Sequence, residues 1–337
     1  HKRVMSHPSK KIAFTICSAN YVAQALALGD SLLVHNPTYH FIIGLVDEID
    51  EAYPIVHSTN YTLIPIKEIG IPNFNTFCAQ YNITELNTAV KPFYFSYLFE
   101  KNEAVESIVY LDPDIFVYHS FEVLEKHLLA NQIVLTPHIT KPINDNKYPT
   151  ETDFLNAGIY NLGFIALKRG NESLALINWW KERLAHLCKI DFENGLFVDQ
   201  LWLNFATLFY KEVFVLDNPG YNMAYWNLQE RSLSKNEAGA YIVNGGHPLV
   251  FYHFSGYDLN KQYAISKYQN RFSFSDRKDL TPLFDKYHQD VMERGFDAFT
   301  AIPCKYISDS PNKKTSFVKQ LVHQLKNWKH SLLQSNK

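Results

Sequence analysis

Apolar residues along the chain fall into short runs rich in β-branched side chains and into longer segments with helical spacing. The run Lys11–Cys17 predicts a first strand, and residues 21–35 have the spacing of a helix. The Asn-Pro pair at 36–37 ends this helix, and residues 41–46 predict a second strand. A strand–helix–strand unit at the start of a chain predicts a parallel sheet, so we expect an α/β protein.

The same alternation continues downstream. Further strands are predicted at residues 61–65, 107–111, 132–136, 158–167, 213–216 and 249–254. Helices are predicted at 84–101, with a break at 91–92, and at 121–130, 172–189 and 198–209. The polar, proline-bearing stretch 140–152 predicts a mobile loop. No repeat and no clear interdomain linker interrupts this order.

Composition narrows the class of protein. The chain has 337 residues, of which 46% are hydrophobic and 20% charged, which is ordinary for a globular protein. A net charge of −2 gives no overall attraction to nucleic acid, so we predict no nucleic-acid partner. Aromatic residues make up 15% of the chain, which fits either a surface that stacks on sugars or bases or an aromatic core.

Cysteine usage and hydropathy bear on the compartment. The four cysteines are far apart in sequence and form no Cys-x-x-Cys pair, so neither a zinc knuckle nor a disulfide framework is predicted. No apolar run reaches the ~18 residues of a membrane-spanning helix, and no signal peptide is visible. We therefore expect a cytoplasmic protein.

The last part of the sequence is basic and amphipathic. From residue 313 onward it has lysines but no acidic residue, and one apolar stripe recurs at helical spacing through Phe317, Leu321, Leu325, Trp328 and Leu332. Such a helix predicts peripheral contact with an anionic membrane, at the inner face of the cell membrane. The alternative is a helix that packs on its own domain with its lysines in water.

Two carboxylates interrupt an apolar run. Asp112 and Asp114 follow residues 107–111, and Pro113 between them is unfavourable inside a central strand. We therefore predict that the strand ends at Leu111 and that both aspartates lie at its carboxyl end, where open α/β sheets bind ligands. Two carboxylates there can face one divalent cation, Mg²⁺ or Mn²⁺. The alternative is a pair of capping or turn carboxylates.

These residues resemble a known family. The sequence Tyr-Leu-Asp-Pro-Asp at 110–114 is similar to the Asp-x-Asp motif of nucleotide-sugar glycosyltransferases with the GT-A fold. The closest likeness is to the retaining, family-8-type galactosyl- and glucosyltransferases that modify bacterial surface glycans. Three further segments resemble motifs of that group, in the same order: the strand 160–167, Asp199-Gln200 followed by Asn204, and His253-x-x-Gly256.

The resemblance implies a fold and a domain order. It implies a Rossmann-like, mostly parallel central sheet flanked by helices, followed by a C-terminal helical extension. The catalytic domain would span 1–260, with a nucleotide-binding half at about 1–120 and an acceptor half at about 121–260. The extension would span 261–337 and include the basic tail.

The resemblance also implies the residues that bind the metal and the donor. Asp112, Asp114 and His253 would bind Mn²⁺ or Mg²⁺. The UDP-sugar would contact a set of polar positions: Ser18, Asn20, Tyr21, Asp47, Lys91, Asp112, Asn161 and Gly256. The alternatives are turn caps for Asn20 and Asp47, and a solvated helix lysine for Lys91. Where the family usually has a lysine after the glycine of the His-x-x-Gly motif, this chain has Leu259, and Lys261 is a candidate substitute.

The resemblance also implies the reaction residues. Asp199 and Gln200 would lie near the anomeric carbon, as nucleophile in a double displacement or beside a front-face attack. The alternative for Asp199 is a helix N-terminal charge. The acceptor residues are instead predicted from side-chain chemistry, because the aromatic faces and amide groups of segment 218–227 suit sugar rings, and Asp153 and Asn156 could hydrogen-bond hydroxyls of donor or acceptor. A glycan or lipid-linked acceptor would contact Asp153, Asn156, Tyr225 and Trp226, with core packing as the alternative for the two aromatic residues.

The sequence thus predicts a metal-dependent transferase of a hexose from a UDP-sugar, with retention, in bacterial surface polysaccharide synthesis. A sugar-nucleotide nucleotidyltransferase is a second reading, although residues 17–21 lack the glycines of a phosphate loop. A non-catalytic carbohydrate-binding protein is a third. Metal-dependent nucleotide binding distinguishes these readings.

Overall fold

The computed structural model of the protein describes residues 10–48 and 61–307. The strands, in chain order, are β1 (Lys11–Cys17), β2 (His40–Leu45), β3 (Thr62–Pro65), β4 (Ser107–Leu111), β5 (Ile115–Val117), β6 (Ile133–Pro137), β7 (Tyr160–Lys168), β8 (Ile190–Asp191), β9 (Leu196–Phe197), β10 (Val213–Val215), β11 (Met223–Ala224), β12 (Leu233–Lys235), β13 (Tyr241–Val243), β14 (His247–Pro248) and β15 (Phe251–His253). The α-helices are α1 (Val22–His35), α2 (Phe74–Ala79), α3 (Ile83–Ala89), α4 (Lys91–Lys101), α5 (Glu122–Ala130), α6 (Glu151–Ala157), α7 (Asn171–Leu184), α8 (Ala206–Phe209), α9 (Thr281–Glu293) and α10 (Phe296–Thr300).

Seven strands form the central sheet, in the order β10-β6-β7-β4-β1-β2-β3. The pairs β4–β1, β1–β2, β2–β3 and β10–β6 are parallel, and β7 alone runs antiparallel to both of its neighbours. The predicted α/β class with a mostly parallel central sheet is confirmed. The antiparallel strand was not foreseen, because the apolar pattern of a buried strand carries no information on its direction.

The sheet separates two apolar layers. Alternate residues of β1 point to opposite faces, with Ala13 in one core cluster and Ile12 and Phe14 in the other. Helices α1, α5, α9 and α10 cover the first face, and α2, α3, α4 and α7 cover the second. This gives a three-layer arrangement, with helices on both sides of the sheet.

A second, three-stranded sheet continues the chain beyond the aspartates. β5 begins at Ile115, directly after Asp114, and pairs antiparallel with β15, so that Ile115 lies opposite His253. The backbone N–H of Phe254 donates to the carbonyl oxygen of Asp114 at 2.8 Å. This pairing joins segments that are more than 130 residues apart, and it brings His253 beside the two aspartates.

Two predicted elements differ from the structure. In place of a helix at 198–209, the chain forms a 3-10 turn at Leu201–Phe205 and the short helix α8. Val198 has a φ of 39°, a conformation that a β-branched residue rarely adopts and that prevents a helix from starting there. Part of the predicted loop at 140–152 is likewise ordered, because α6 begins at Glu151.

The C-terminal prediction is only partly described. Helices α9 and α10 follow residue 260 and pack into the same core cluster as α1, through Leu283, Phe284 and Phe296. The basic amphipathic tail lies outside the described residues, and the predicted domain boundaries and membrane contact stay predictions. Among the helices that the structure describes, none combines the length and the hydropathy needed to cross a membrane.

Candidate metal centre and active site

The two aspartates lie where the central strand ends. β4 stops at Leu111, and the backbone N–H of Asp112 donates to the carbonyl oxygen of Gly163 on β7 at 2.8 Å. A turn then brings the N–H of Ile115 within 3.1 Å of the Asp112 carbonyl oxygen. The side chains of Asp112 and Asp114 are 30% and 24% exposed. The prediction that the strand ends at Leu111 is therefore confirmed, and both carboxylates reach solvent at the carboxyl end of the sheet.

His253 completes a cluster with these carboxylates. Its Nε2 lies 3.0 Å from Oδ1 of Asp114 and 3.7 Å from Oδ2 of Asp112. The three ligand atoms all lie within 4.8 Å of one another. Burial lowers the pKa of His253, but the two carboxylates outweigh it, so that the pKa is raised overall. Two carboxylate oxygens and one imidazole nitrogen suit a divalent cation such as Mn²⁺, so the residues present fit the metal that the resemblance implied.

Close packing fixes the position of the imidazole. A Cβ atom on Gly163 would lie 2.4 Å from Cε1 of His253, so only glycine fits there. On another side, the ring of Trp226 meets the imidazole edge to face, with 5.2 Å between ring centroids. Nδ1 of His253 is buried and has no hydrogen-bond partner among the described residues. The ring is therefore held by contacts with neighbouring residues and by the carboxylates.

A buried chain of contacts runs from Asp112 to Asp199. The hydroxyl of Tyr110 donates to Oδ1 of Asp112 at 2.6 Å, and Nζ of Lys91 lies 4.2 Å from the centroid of the Tyr110 ring. Lys91 donates to Oδ2 of Asp199 at 2.5 Å and to the carbonyl oxygen of Leu162 at 2.7 Å. The side chains of Lys91 and Asp199 are 1% and 3% exposed. The alternative of a solvated helix lysine is therefore wrong for Lys91.

Asp199 and Gln200 are anchored from several sides. Burial raises the pKa of Asp199, and the opposing effect of Lys91 does not cancel the rise. The indole N–H of Trp180 donates to the carbonyl oxygen of Asp199 at 3.1 Å. The amide group of Gln200 donates to the carbonyl oxygen of Ala157 at 2.8 Å and accepts from the N–H of Leu162 at 3.4 Å. Both predicted catalytic side chains therefore already make contacts within the protein.

The predicted base-binding residues gather at the carboxyl ends of β1 and β2. The amide nitrogen of Asn87 donates to Oγ of Ser18 at 2.8 Å. Oδ1 of Asp47 accepts from the backbone N–H groups of Glu48 and Lys305, each at 3.1 Å. Burial raises the pKa of Asp47, against the effect of these bonds. The donor-binding roles of Ser18 and Asp47 stay predictions.

Two neighbours of these residues keep unused polar groups. Oδ1 of Asn20 is buried without a hydrogen-bond partner in the described parts of the chain. Tyr21 is an exposed residue, of which 44% is accessible to solvent. The aromatic ring of Tyr21 is therefore open to a ligand beside the metal cluster.

Asn161 lies in a buried polar cluster below the metal centre. Its Oδ1 accepts from Asn222 at 3.0 Å and from the N–H of Gly163 at 3.2 Å, and its Nδ2 lies 3.2 Å from Nε2 of His138. Burial lowers the pKa of His138 to about 4, so its ring is neutral. Asn161 thus has partners within the protein, and its donor-binding role stays a prediction.

The four predicted acceptor residues have different surroundings. Trp226 is 2% exposed and lies between His253 and His138, whereas Tyr225 is half-buried. Asp153 is in the first turn of α6, where its Oδ2 accepts from the N–H and the hydroxyl of Thr150. Asn156 is exposed on the same helix. Their acceptor roles stay predictions.

The segment after His253 departs from the family as the sequence suggested. Gly256 has a φ of 72°, and a Cβ atom there would lie 2.5 Å from the ring of Tyr268. Leu259 is 7% exposed and contributes to the core. Lys261 is exposed and lies 3.6 Å from the carboxylate of Asp258. A role for Lys261 at the phosphates stays a prediction.

Three residues around this site have contacts that the sequence did not predict. Tyr110 lies two positions before Asp112, on the same face of the strand, and the period of two was the signal that could have revealed it. His138 directly follows β6. Ligands of open α/β sheets bind at the carboxyl ends of the strands, and this position was the signal that could have revealed it. Tyr268 follows an irregular segment, and no pattern in the sequence indicates its position.

Comparison with known proteins gives distant relatives. No protein-family model matches the sequence. Two uncharacterized proteins of Bacillus subtilis (strain 168) are similar to it. YfnF is 26% identical over 254 residues, which cover 73% of this chain and 81% of YfnF. YfnD is 22% identical over 250 residues, which cover 73% of this chain and 77% of YfnD. Neither name brings an activity to this protein.

Solved structures of glycosyltransferases are similar to this chain at low identity. The galactosyltransferase LgtC, in complex with donor and acceptor sugar analogs, is 14% identical and has a TM-score of 0.47, with 87% of this chain and 97% of LgtC covered. The glycosyltransferase GlyE of Streptococcus pneumoniae TIGR4 is 17% identical and has a TM-score of 0.47, with 89% and 66% covered.

Proposed function

We propose that this protein is a metal-dependent glycosyltransferase that moves a hexose from a UDP-sugar to a glycan or lipid-linked acceptor. The observation that carries the proposal is the cluster of Asp112, Asp114 and His253 at the carboxyl end of the central sheet. The carboxyl end of β1 supports it, because the exposed ring of Tyr21 there offers a contact for a base. Retention and a role in bacterial surface polysaccharide synthesis belong to the proposal through the resemblance of the motifs.

The proposed reaction exchanges one bond for another. The bond between C1 of the hexose and the diphosphate oxygen breaks, and a bond between C1 and an acceptor oxygen forms. The acceptor hydroxyl loses its proton, so UDP and one proton are released for each sugar transferred. A divalent cation on Asp112, Asp114 and His253 would neutralise the charge of the diphosphate as it leaves.

The chain's own residues orient this chemistry. Tyr110 holds one oxygen of Asp112 and leaves Oδ2 turned toward His253. Lys91 balances the charge of Asp199 inside the protein, and the backbone of Ala157 and Leu162 fixes the amide of Gln200. Because these contacts fix Asp199 and Gln200 in position, the two residues are suited to orient the sugar in the site.

The test is calorimetric binding of UDP in the presence of Mn²⁺ and then of EDTA, with GDP and CMP as competing nucleotides. We expect binding that requires Mn²⁺, prefers UDP and is lost in the Asp114→Asn variant. Asp217→Asn, at an exposed aspartate remote in sequence from the cluster, is the matched control and should bind as the wild type does. Absence of UDP binding under every condition would overturn the UDP-sugar assignment.

The same samples separate the alternative functions. A nucleotidyltransferase would release pyrophosphate from a nucleoside triphosphate and a sugar phosphate, whereas the proposed enzyme releases UDP from a UDP-sugar. A non-catalytic carbohydrate-binding protein would bind saccharides without Mn²⁺ and without nucleotide. Product NMR then gives the anomeric configuration, and an inverted product would contradict retention.

A further inference from the structure

Three tyrosines gather beside the metal centre. Tyr148 is 38% exposed, Tyr225 and Tyr268 are half-buried, and the rings of Tyr225 and Tyr268 lie 6.1 Å apart. We call these three residues the tyrosine cluster. Within residues 10–48 and 61–307, no hydrogen bond is found to any of the three hydroxyls, and of the three residues only Tyr148 is exposed rather than half-buried. The cluster therefore combines aromatic rings with hydroxyl groups that the described residues leave unpaired.

The carboxylate of Asp153 lies near the tyrosine cluster. Its Oδ2 accepts both hydrogen bonds from Thr150, at 2.8 and 2.9 Å, while Oδ1 accepts none from the described residues. Burial raises the pKa of Tyr148 to about 12, and the charges of Asp153 and Tyr268 add to the rise. The pKa of Tyr225 is raised by burial and then by Tyr148, Tyr268 and Asp153. The hydroxyls of Tyr148 and Tyr225 therefore stay protonated and can donate, and a carboxylate oxygen beside them can accept.

Hydrogen bonds hold the cluster in place. Asn270 accepts from the backbone N–H of Tyr148 at 2.7 Å and donates its own N–H to the Tyr148 carbonyl oxygen at 3.2 Å. The buried guanidinium of Arg271 donates to the carbonyl oxygens of Lys147 and Pro149, at 2.8 and 2.7 Å. These bonds tie the segment before α6 to the segment that carries Tyr268. A binding surface built on such fixed groups loses little entropy when a ligand binds.

Ring contacts connect the cluster to the metal centre. Trp226 lies between the two, with ring centroids 5.0 Å from Tyr225 and 5.2 Å from His253. Tyr268 also approaches the segment after His253, because a Cβ atom on Gly256 would lie 2.5 Å from its ring. The tyrosine cluster thus lies next to the metal centre, with Trp226 between the two.

We propose that the tyrosine cluster and Asp153 form the subsite that binds the acceptor saccharide. This inference rests on the proposed glycosyltransferase function and names the part of the site that the acceptor occupies. A pyranose ring has an apolar C–H face, which suits an aromatic ring, and a rim of hydroxyls that pair with both donors and acceptors. The carboxylate of Asp153 favours hydroxyl groups and repels a phosphate or a carboxylated sugar.

The test uses the full chain with UDP and Mn²⁺ present and measures saccharide binding by saturation-transfer difference NMR. The probes are the methyl α- and β-glycosides of glucose, galactose and N-acetylglucosamine. The variant is Tyr148→Phe with Tyr268→Phe, which removes two hydroxyls that have no partner in the part of the chain the structure describes and keeps the rings. Tyr263→Phe is the matched control, because Tyr263 is 74% exposed on the same segment as Tyr268.

We expect the wild type and the control to bind at least one glycoside, and the double variant to bind it about threefold to tenfold more weakly for each hydroxyl removed. Melting temperature and UDP binding should not change in the variant. Equal glycoside binding by the double variant and the wild type overturns the inference, and so does binding of none of the six glycosides by a wild type that binds UDP. Loss of UDP binding by the wild type itself would instead overturn the proposed function.

Discussion

The ammonium group of Lys91 lies 2.5 Å from a carboxylate oxygen of Asp199, and water reaches neither side chain. Removal of one partner leaves the other charge buried and unpaired, which costs far more than the loss of an exposed pair. We therefore expect Lys91→Met to lower the free energy of unfolding by about 3–5 kcal/mol, measured by urea denaturation at pH 7.

The matched control for this prediction is Lys126→Met, because Lys126 pairs with Glu122 in solvent. It should change stability little. Asp199→Asn in the Lys91→Met background should recover part of the loss, because it removes the unpaired charge. A double variant that is no more stable than Lys91→Met would contradict the assignment of the loss to Asp199.

The hydrogen bond from Tyr110 to Asp112 predicts an effect on metal affinity. Partners that orient a metal ligand typically contribute about 10–100-fold to metal affinity. Tyr110→Phe should therefore weaken Mn²⁺ binding by about tenfold or more, measured by calorimetry or by the EPR signal of free Mn²⁺. Tyr94→Phe is the control, since its buried hydroxyl donates to the carbonyl oxygen of Ile64 at 2.9 Å, away from the cluster. Equal losses in both variants would indicate a general effect on folding.

The contact between Gly163 and His253 predicts a steric effect. In Gly163→Ala the new methyl group would overlap Cε1 of His253, so the imidazole must shift from its present position beside Asp114. We expect Mn²⁺ affinity to fall while the chain stays folded, as monitored by circular dichroism. Gly246→Ala is a suitable comparison, because a Cβ atom there meets no neighbour within 4 Å. Unchanged Mn²⁺ affinity in Gly163→Ala would show that His253 is not a ligand.

The buried His138 predicts a dependence of stability on pH. Its pKa is lowered from 6.5 to about 4 by burial, so the unfolded chain binds a proton at a higher pH than the folded chain does. Stability is therefore lost as pH falls from about 6.5 toward 4. Between pH 7 and pH 5, the protonation of His138 in the unfolded chain should lower the free energy of unfolding by about 2 kcal/mol.

The measurement compares the wild type with His138→Gln by urea denaturation at both pH values. The difference in free energy of unfolding between the wild type and the variant should be about 2 kcal/mol smaller at pH 5 than at pH 7, because glutamine has no proton to take up. Equal differences at pH 7 and pH 5 would contradict the assignment to His138.

Local rules explain how much of the site could be predicted from the sequence. Asp112 and Asp114 were identifiable because charge and proline interrupt an apolar run, and such an interruption occurs where a strand ends. His253 came from the resemblance alone, since nothing in its local sequence indicates which distant strand β15 pairs with. Asp199, which pairs with Lys91, lies 108 residues later in the chain, so no local pattern could predict this pairing.

Helix propensity also fails to predict the structure where tertiary contacts oppose a helix. The sequence after Val198 is rich in helix-forming residues, yet the chain there forms a 3-10 turn. Asp199 is drawn to the buried Lys91 and Gln200 to the backbone of Ala157, and Val198 takes a left-handed φ that permits both contacts. Local preference gave way to these two long-range contacts.

The position of β4 between two other strands limits which fragments of the chain can be expressed without exposing a strand edge. β4 carries the chain to Asp112, and it hydrogen-bonds to β1 on one side and to β7 on the other. A fragment cut near residue 120 would keep the aspartates but leave the β7 side of a wholly buried strand open to solvent, as a template for aggregation. We therefore expect a well-behaved fragment that contains the aspartates to extend at least through Lys168, the end of β7.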